Sequence, residues 1–319
     1  MNKKQNLVVM IPCYNEAKTV GKVIKSIPKK VKGIDKLTVL VINDGSADNS
    51  ISVSQKAGAI VVSHKKNEGL GIAFRTGIET ALKMGADIIV NIDADRQFDS
   101  NDIPKLIEPI QKGEADMVTA TRFKDKDYFP TNIPTAKVWG NKGFVKLVNL
   151  LTGQKFTDSS CGYRAYSREA AQRLNLFGRF TYTQEVLMNL VDRGMKIQEV
   201  PVQVRYFKKR KARVSGSLFK YGYRAIAIIF MAFRDYNPLL FFGIPGLSLF
   251  SLGFLFSLFS FIYWLINHST SPIRMLLFLG VFFLTFGSLL VILSLIADMF
   301  KRVRKNQEEI IYYLKQDII

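Results

Sequence analysis

The chain has 319 residues, 48% of them hydrophobic, and a formal net charge of +19. This length allows one large domain or two of ordinary size. With only two cysteines, Cys13 and Cys161, a disulfide framework or thiolate metal site is not expected, and a reducing compartment fits. His64 and His268 are the only histidines, so a histidine-based triad or zinc site is not expected either.

Apolar runs alternate with helix-like stretches in the first part of the chain. The predicted strands cover residues 7–11, 37–42, 59–62, 87–92 and 117–120. The predicted helices between and after them cover residues 20–27, 47–57, 71–84 and 103–111. This alternation predicts an α/β fold whose parallel sheet is covered by helices on both faces.

Polar clusters follow four of the predicted strands, at residues 13–16, 43–48, 66–71 and 93–97. Ligands of parallel sheets bind beyond the carboxyl ends of the strands. We therefore expect the four clusters to gather at one edge of the sheet.

The most informative cluster places Asp93, Asp95 and Gln97 directly after the strand at 87–92. Because strand side chains alternate, these three are expected to share one side of the chain. Carboxylate and amide oxygens suit Mg²⁺ or Mn²⁺, and such a cation usually completes its coordination with substrate phosphates. An ordinary polar loop can also contain this pattern, so the neighbouring motifs are needed to support a metal site.

Two stretches near the C-terminus, 239–266 and 275–297, contain no charged residue. Each exceeds the roughly 20 residues needed to cross a bilayer, and neither has a polar stripe, so we predict two transmembrane helices. Basic residues lie outside both spans, whereas the connection at 267–274 has one arginine, so both ends are predicted to be cytoplasmic.

A further helix is predicted at 218–236, where aromatic residues recur at three- and four-residue steps. This pattern is typical of a helix in the membrane interface, although a helix packed on the first domain is an alternative. Basic residues concentrate beside these membrane segments. Anionic lipid headgroups explain the positive charge more economically than nucleic acid, which is not an expected partner.

Four segments together resemble a known family. They are Ile11-Pro12-Cys13-Tyr14-Asn15-Glu16, the run from Val41 to Asp48, the Asp93-Ala94-Asp95 run, and the run from Asp158 to Tyr166. In this order they resemble the family 2 glycosyltransferases of the glycosyltransferase-A fold, a Rossmann-like α/β fold with a mostly parallel sheet. The closest likeness is to the polyisoprenyl-phosphate glycosyltransferases, the group of dolichol-phosphate mannose synthase. The resemblance covers residues 6 to 235, and the two spans match the membrane-anchored branch.

The resemblance implies a nucleotide-diphosphate sugar donor and a divalent cation, Mg²⁺ or Mn²⁺. The residues that it assigns to the donor nucleotide are Pro12, Tyr14, Glu16, Asp44 and Asp93. The residues that it assigns to the metal are Asp93, Asp95 and Gln97.

The implied acceptor is a polyprenyl phosphate, which already carries an anionic oxygen near neutral pH. Catalysis then depends on positioning and charge more than on a strong base. The cations expected around the acceptor phosphate and the diphosphate are Arg122, Lys137 and Arg213. By resemblance, Asp158 faces the acceptor and either removes a residual proton or orients the nucleophile. Glu185 is a second candidate, although a carboxylate at a helix start is more often a cap.

The predicted organisation is a cytoplasmic catalytic domain at 1–215, an interfacial helix at 216–238, a membrane hairpin at 239–300 and a cytoplasmic tail at 301–319. The predicted reaction is an inverting, metal-dependent transfer of one sugar to undecaprenyl or dolichyl phosphate at the cytoplasmic membrane face.

Two alternatives stay open, a membrane glycosyltransferase that elongates a glycan and a non-catalytic membrane scaffold. Processive synthases usually carry a Gln-x-x-Arg-Trp motif, which neither Trp139 nor Trp264 completes. The acidic residues at 93, 95 and 158 argue against a scaffold, since a binding module needs no metal cage. The sugar, the nucleotide and the oligomeric state, including a homo-oligomer, are not determined by the sequence.

Overall fold

The computed structural model describes residues 4–130, 132–175, 182–206, 230–231 and 233–318. The chain divides into two compact units. The first consists of Met1–Gly222 together with Ile311–Ile319, and the second consists of Tyr223–Ile310.

The first unit is built on a seven-stranded sheet with the order β3-β2-β1-β4-β6-β5-β7. Its strands are β1 Gln5–Cys13, β2 Ile34–Asn43, β3 Ile60–Ser63, β4 Ile88–Asn91, β5 Met117–Thr121, β6 Arg164–Ser167 and β7 Ile197–Pro201. Its helices are α1 Val20–Ser26, α2 Ser50–Lys56, α3 Leu70–Lys83, α4 Ile103–Gln111, α5 Thr135–Thr152, α6 Arg168–Arg173 and α7 Thr183–Asp192. All five predicted strands and all four predicted helices are present.

The sheet is buried on both faces, as its apolar strands require. Alternate residues of β1 enter different hydrophobic clusters: Leu7 and Val9 pack in one, and Val8 and Met10 pack in the other. The helices of the first unit cover both faces. This is the α/β arrangement that the alternation of strands and helices predicts.

The sheet is mixed but mostly parallel, which confirms the mostly parallel sheet that the resemblance implies. Strands β1 to β4 are parallel, but β6 pairs antiparallel with both β4 and β5. Strand β6 spans only Arg164–Ser167 and includes a fully buried arginine, so it lacks the apolar run that marks the other strands. Strand β7, Ile197–Pro201, extends the sheet beyond β5 as a parallel edge strand.

The second unit contains two long apolar helices, Ile244–Asn267 and the part of Arg274–Ile318 that precedes Ile311. A π-helical turn, Leu239–Gly243, leads into the first. By length and composition both helices are able to cross a membrane, and only 11% of each apolar window is buried. Low burial is unlike the core helix of a soluble domain.

Glycines bring the two apolar helices close together. A Cβ on Gly253 would meet the backbone nitrogen of Leu284 at 2.5 Å, and a Cβ on Gly287 would meet the backbone nitrogen of Phe250 at 2.5 Å. Small residues at such crossings let helix backbones approach closely, as is common between membrane helices.

The second apolar helix runs further than the predicted span, to Ile318. Its last residues belong to the first unit, where the Lys315 ammonium donates hydrogen bonds to the carbonyls of Gln172 and Leu174 at 3.3 and 3.0 Å. Residues 311–318, within the predicted tail at 301–319, are therefore helical, and Lys315 contacts the end of α6. The predicted interfacial helix lies mostly outside the described residues.

Candidate active site

The loops after β1 and β2 lie side by side at the carboxyl edge of the sheet. The Asp44 backbone N–H donates to the Cys13 carbonyl at 2.8 Å, and the Ala47 N–H donates to Asn15 Oδ1 at 2.8 Å. Pro12 is buried at the base of this pair of loops, while Tyr14 is 42% exposed at its rim. The expectation that the two motifs meet is confirmed.

Glu16 and Gly45 shape the same loops. The Glu16 N–H donates to Ser50 Oγ at 2.9 Å, and Glu16 Oε2 accepts from the Thr19 hydroxyl at 2.8 Å. Gly45 has a φ of +68°, and a Cβ there would meet the Lys66 carbonyl carbon at 2.4 Å. Only glycine fits this turn without moving the neighbouring loop.

Asp44 is almost fully buried and organises the next loop. Its carboxylate accepts hydrogen bonds from the backbone N–H groups of Glu68 and Gly69 at 2.9 and 3.0 Å. Its Oδ1 also lies 2.8 Å from His64 Nδ1, while His64 Nε2 lies 3.0 Å from the Thr76 hydroxyl. The structure thus gives Asp44 a loop-organising role, and its predicted contact with the nucleoside stays a prediction.

His64 is a site residue that no sequence motif indicates. Its position in the sequence could have indicated the contact with Asp44, because His64 directly follows β3 and Asp44 directly follows the neighbouring strand β2. Parallel strands end at one edge of a sheet, so a residue that follows β3 lies beside one that follows β2.

Asp93, Asp95 and Gln97 lie in a turn after β4. The strand ends at Asn91, Arg96 has a φ of 64°, and the Gln97 N–H donates to Asp95 Oδ1 at 2.9 Å. Strand alternation therefore does not extend to Asp95 and Gln97, because the chain turns at residues 94–96, and the expectation that the three side chains share one side stays a prediction. The turn neither supports nor contradicts Asp93, Asp95 and Gln97 as metal ligands, so this ligand set stays a prediction.

The chemistry of the turn fits a hard cation that also binds phosphate. Gly162 leaves room beside Asp93, since a Cβ at Gly162 would lie 3.4 Å from both carboxylate oxygens. Within the described ranges no group of three His, Cys, Asp or Glu side chains is arranged to hold a metal. A cation at Asp93 and Asp95 would thus need further oxygen ligands, which a diphosphate supplies.

Arg122 and Asp158 form a buried ion pair near this turn. Arg122 Nε and Nη2 donate to the two Asp158 oxygens at 2.6 and 2.7 Å, and Arg122 Nη1 donates to the Tyr206 hydroxyl at 2.6 Å. Burial lowers the pKa of the guanidinium, but the Asp158 carboxylate more than reverses this and raises the pKa above its usual value. The arginine therefore stays charged.

A second set of contacts fixes the segment that carries Asp158. Glu199 on β7 accepts hydrogen bonds from the backbone N–H groups of Thr157 and Asp158 at 2.8 and 3.0 Å. Asn141 on α5 donates to the Thr157 carbonyl at 3.0 Å and accepts from the Ser159 N–H at 3.3 Å. The sequence did not indicate Glu199 or Asn141 as positioning residues, because their hydrogen-bond partners are distant in the chain.

Lys137 connects this ion pair to the Asp95 turn. Burial and the Arg122 guanidinium lower the pKa of Lys137, and the Asp95 carboxylate opposes them. Its Nζ also lies 5.2 Å from the centre of the Tyr206 ring. Three predicted site residues, Arg122, Lys137 and Asp158, are thus gathered near the predicted metal ligand Asp95.

Arg213 and Glu185 are the remaining predicted candidates. Arg213 lies outside the described residues. Glu185 is half-buried in the first turn of α7. Cys161 is buried, and burial raises the pKa of its thiol to about 12, so the thiol is protonated and packs as a small apolar group.

Comparison with known proteins identifies the fold and the family. A family model described as Glycosyl transferase family 2 matches residues 8–174, just over half of the chain. The chain is similar to the crystal structure of glucosyl-3-phosphoglycerate synthase from Mycobacterium tuberculosis, with a TM-score of 0.57 and 22% identity over 72% of this chain and 80% of that one. That likeness shows the fold, a glycosyltransferase-A fold.

Curated relatives extend the match. UDP-N-acetylglucosamine–dolichyl-phosphate N-acetylglucosaminyltransferase of Methanococcus voltae is 30% identical over 70% of this chain and 95% of its own length. Glycosyltransferase AglJ of Haloferax volcanii is 28% identical over 93% of this chain and 97% of its own length. The chain is therefore a glycosyltransferase that belongs to glycosyl transferase family 2 and resembles its polyprenyl-phosphate transferases.

Proposed function

We propose that the enzyme transfers one sugar from a nucleotide-diphosphate sugar, linked to UDP or GDP, to a polyprenyl phosphate at the cytoplasmic membrane face. The observation that carries this proposal is the cation cluster of Arg122 and Lys137 beside Asp95, in a chain with two apolar helices able to cross a membrane. The name of the Methanococcus voltae relative, which specifies a dolichyl-phosphate acceptor, supports it.

The donor half of the site is proposed at the loops after β1, β2 and β4. Asp93, Asp95 and Gln97 would hold Mg²⁺ or Mn²⁺, which supplies charge neutralisation for the departing nucleotide diphosphate when bound. The space beside Gly162 supports this assignment, and so do the carboxylates of Asp93 and Asp95. Solved complexes of the mycobacterial synthase contain Mn²⁺ and UDP, which supports a divalent cation without choosing between the two metals.

In the proposed reaction an oxygen of the acceptor phosphate bonds to the anomeric carbon. The bond from that carbon to the diphosphate breaks on the opposite side, and the nucleotide diphosphate leaves with the electron pair. A single displacement inverts the anomeric centre and needs no enzyme nucleophile. Because the phosphate oxygen is already anionic, the enzyme mainly orients it and balances charge.

Arg122 and Lys137 are proposed to attract the acceptor phosphate, with Arg213 as a third cation from the undescribed segment. Both oxygens of Asp158 accept hydrogen bonds from Arg122, and Oδ1 also accepts from the Ser160 N–H at 3.1 Å. A carboxylate engaged in this way is poorly placed to take a proton. Of the two roles predicted for Asp158, the geometry favours orientation, exerted through Arg122.

The outer face of α5 supports an acceptor held at a membrane. Trp139 and Leu150 are 73% and 78% exposed, and Lys142 and Lys146 lie exposed between them. The opposite face of α5 carries Asn141, which holds the Asp158 segment. Tryptophan and lysine together suit the headgroup region of a bilayer that contains anionic lipids.

This face gives a spectroscopic prediction, because Trp139 and Trp264 are the only tryptophans. In a Trp264→Phe variant reconstituted into anionic nanodiscs, Trp139 emission is expected to be quenched by brominated lipids and protected from acrylamide. The Trp139→Phe variant is the matched control, since Trp264 then reports from the first apolar helix. Trp139 emission that acrylamide quenches freely and brominated lipid does not would contradict a membrane contact at α5.

The function itself is tested by label transfer. Membranes containing the enzyme are incubated with undecaprenyl or dolichyl phosphate and a panel of labelled UDP- and GDP-sugars. Label is expected in an organic-extractable product that mild acid hydrolyses. Label that appears only in water-soluble glycan or protein, with every donor, would favour the elongating transferase instead.

A further inference from the structure

A buried tyrosine lies behind the predicted metal ligand Asp93. Tyr182, directly before α7, is 1% exposed, and its ring stacks on Phe74 with centroids 3.9 Å apart and planes 12° apart. Phe74 in turn meets the edge of Tyr166, with centroids 5.9 Å apart. The position of the Tyr182 ring is therefore fixed by packing.

The Tyr182 hydroxyl is fixed by the last residue of β4. Asn91 Nδ2 donates to the Tyr182 oxygen at 2.8 Å and to the Gly162 carbonyl at 2.7 Å. Asn91 thus ties the tyrosine and the Gly162 segment to a strand end only two residues before Asp93. Since the tyrosine oxygen is the acceptor in this bond, its own hydrogen is left for another acceptor.

Gly162 shows that the hydroxyl and the carboxylate converge. A Cβ at Gly162 would lie 3.2 Å from the Tyr182 oxygen and 3.4 Å from each Asp93 carboxylate oxygen. All three oxygens therefore border one small space.

We propose that Tyr182 is a positioning residue for Asp93: its buried hydroxyl, fixed by Asn91, sets the orientation of the carboxylate and thereby the affinity of the site for a divalent cation. This inference rests on the proposed function, in which Asp93 holds the cation. Groups that orient a metal ligand without touching the metal typically change metal affinity by about 10- to 100-fold when removed.

The test compares two tyrosines that pack on the same phenylalanine. Tyr182→Phe removes the hydroxyl beside Asp93 and keeps the ring stacked on Phe74. Tyr166→Phe is the matched control, because the Tyr166 hydroxyl is buried and has no hydrogen-bond partner in the described part of the chain. Mn²⁺ binding to the full-length protein in detergent, with UDP present, is followed by the electron paramagnetic resonance signal of free Mn²⁺.

Tyr182→Phe is expected to weaken Mn²⁺ binding about tenfold or more, whereas Tyr166→Phe is expected to change it less than about twofold. If the wild-type protein binds Mn²⁺ and Tyr182→Phe binds it with the same affinity, the role of Tyr182 is overturned and the metal site is not. A wild-type protein that binds no Mn²⁺ would overturn the proposed metal site together with this inference.

A second variant covers the case in which Tyr182→Phe does not fold. Gly162→Ala adds a methyl group 3.2 Å from the Tyr182 hydroxyl and 3.4 Å from both Asp93 carboxylate oxygens, and it leaves the aromatic side chains unchanged. It is expected to weaken Mn²⁺ binding by a similar factor with a melting temperature close to that of the wild type. Full Mn²⁺ affinity in this variant would also contradict the proposal.

Discussion

Asp95→Ala is expected to abolish divalent-dependent sugar transfer, with a loss of about 10³-fold or more, while the catalytic unit stays folded. A cation that neutralises the leaving diphosphate contributes several kcal/mol to the transition state, and each 1.4 kcal/mol corresponds to about a tenfold change in rate. Asp95 is only half-buried in a turn, so its removal should affect stability little. The measurements are initial transfer rates against Mn²⁺ concentration and a thermal melt.

The chain offers a matched control for this variant. Asp99 Oδ1 accepts a hydrogen bond from the Asn101 N–H at 3.0 Å, as Asp95 Oδ1 does from the Gln97 N–H at 2.9 Å. Asp99→Ala therefore removes the same kind of turn contact without a predicted metal ligand, and it is expected to keep transfer. Undiminished transfer in Asp95→Ala, or full wild-type activity in excess chelator, would refute the metal assignment.

Asp158→Asn is expected to lower the free energy of unfolding of the catalytic unit by about 3–5 kcal/mol and to reduce transfer severely. The Asp158 side chain is fully buried and the Arg122 side chain is 11% exposed, so the guanidinium would lose its counter-ion inside the protein. Breaking one partner of a buried pair is costly because the remaining charge stays desolvated. Denaturant unfolding gives the stability, and the label-transfer assay gives the activity.

A double variant separates stability from function in this pair. Replacing Asp158 with Leu and Arg122 with Met removes both charges, and apolar replacement of a buried pair is often close to neutral for stability. Stability is therefore expected to recover, while transfer stays low because the acceptor phosphate has lost a cation. Recovery of transfer in the double variant would show that the pair serves the fold alone.

The exposed pair Lys112–Glu108 is a useful contrast, since Glu108→Ala should not change the melting temperature measurably.

Charged side chains lie between the proposed donor site at Asp95 and the proposed acceptor site at Arg122. Lys137 lies within the electrostatic range of both Arg122 and Asp95, and Arg122 reaches Asp158 directly. A donor diphosphate at Asp95 and an acceptor phosphate at Arg122 would therefore both lie near the Lys137 ammonium. Such an arrangement reduces the repulsion between two anionic reactants, which is the main electrostatic problem of this proposed reaction.

The sequence by itself determined the parts of the fold that depend on local patterns. Apolar runs and helical periodicity predicted the first five strands and the helices between them, because burying one face of an element requires a regular spacing of apolar side chains. The two uncharged stretches likewise predicted two apolar helices, since length and composition alone decide whether a helix can cross a bilayer. The order of the strands also predicted that motif residues such as Asp44 and Asp95 lie at the carboxyl edge of the sheet.

Only the tertiary structure decided which side chains bond to one another. The antiparallel strand β6, the loop-organising role of Asp44, and the support of the Asp158 segment by Glu199 join residues far apart in the chain. Tyr182 accepts a hydrogen bond from Asn91 in the same way, over a separation of 91 positions in the chain. Hydrogen bonds and ion pairs between distant residues leave no periodic trace in a sequence, because they depend on distances that exist only after the sheet and helices have packed.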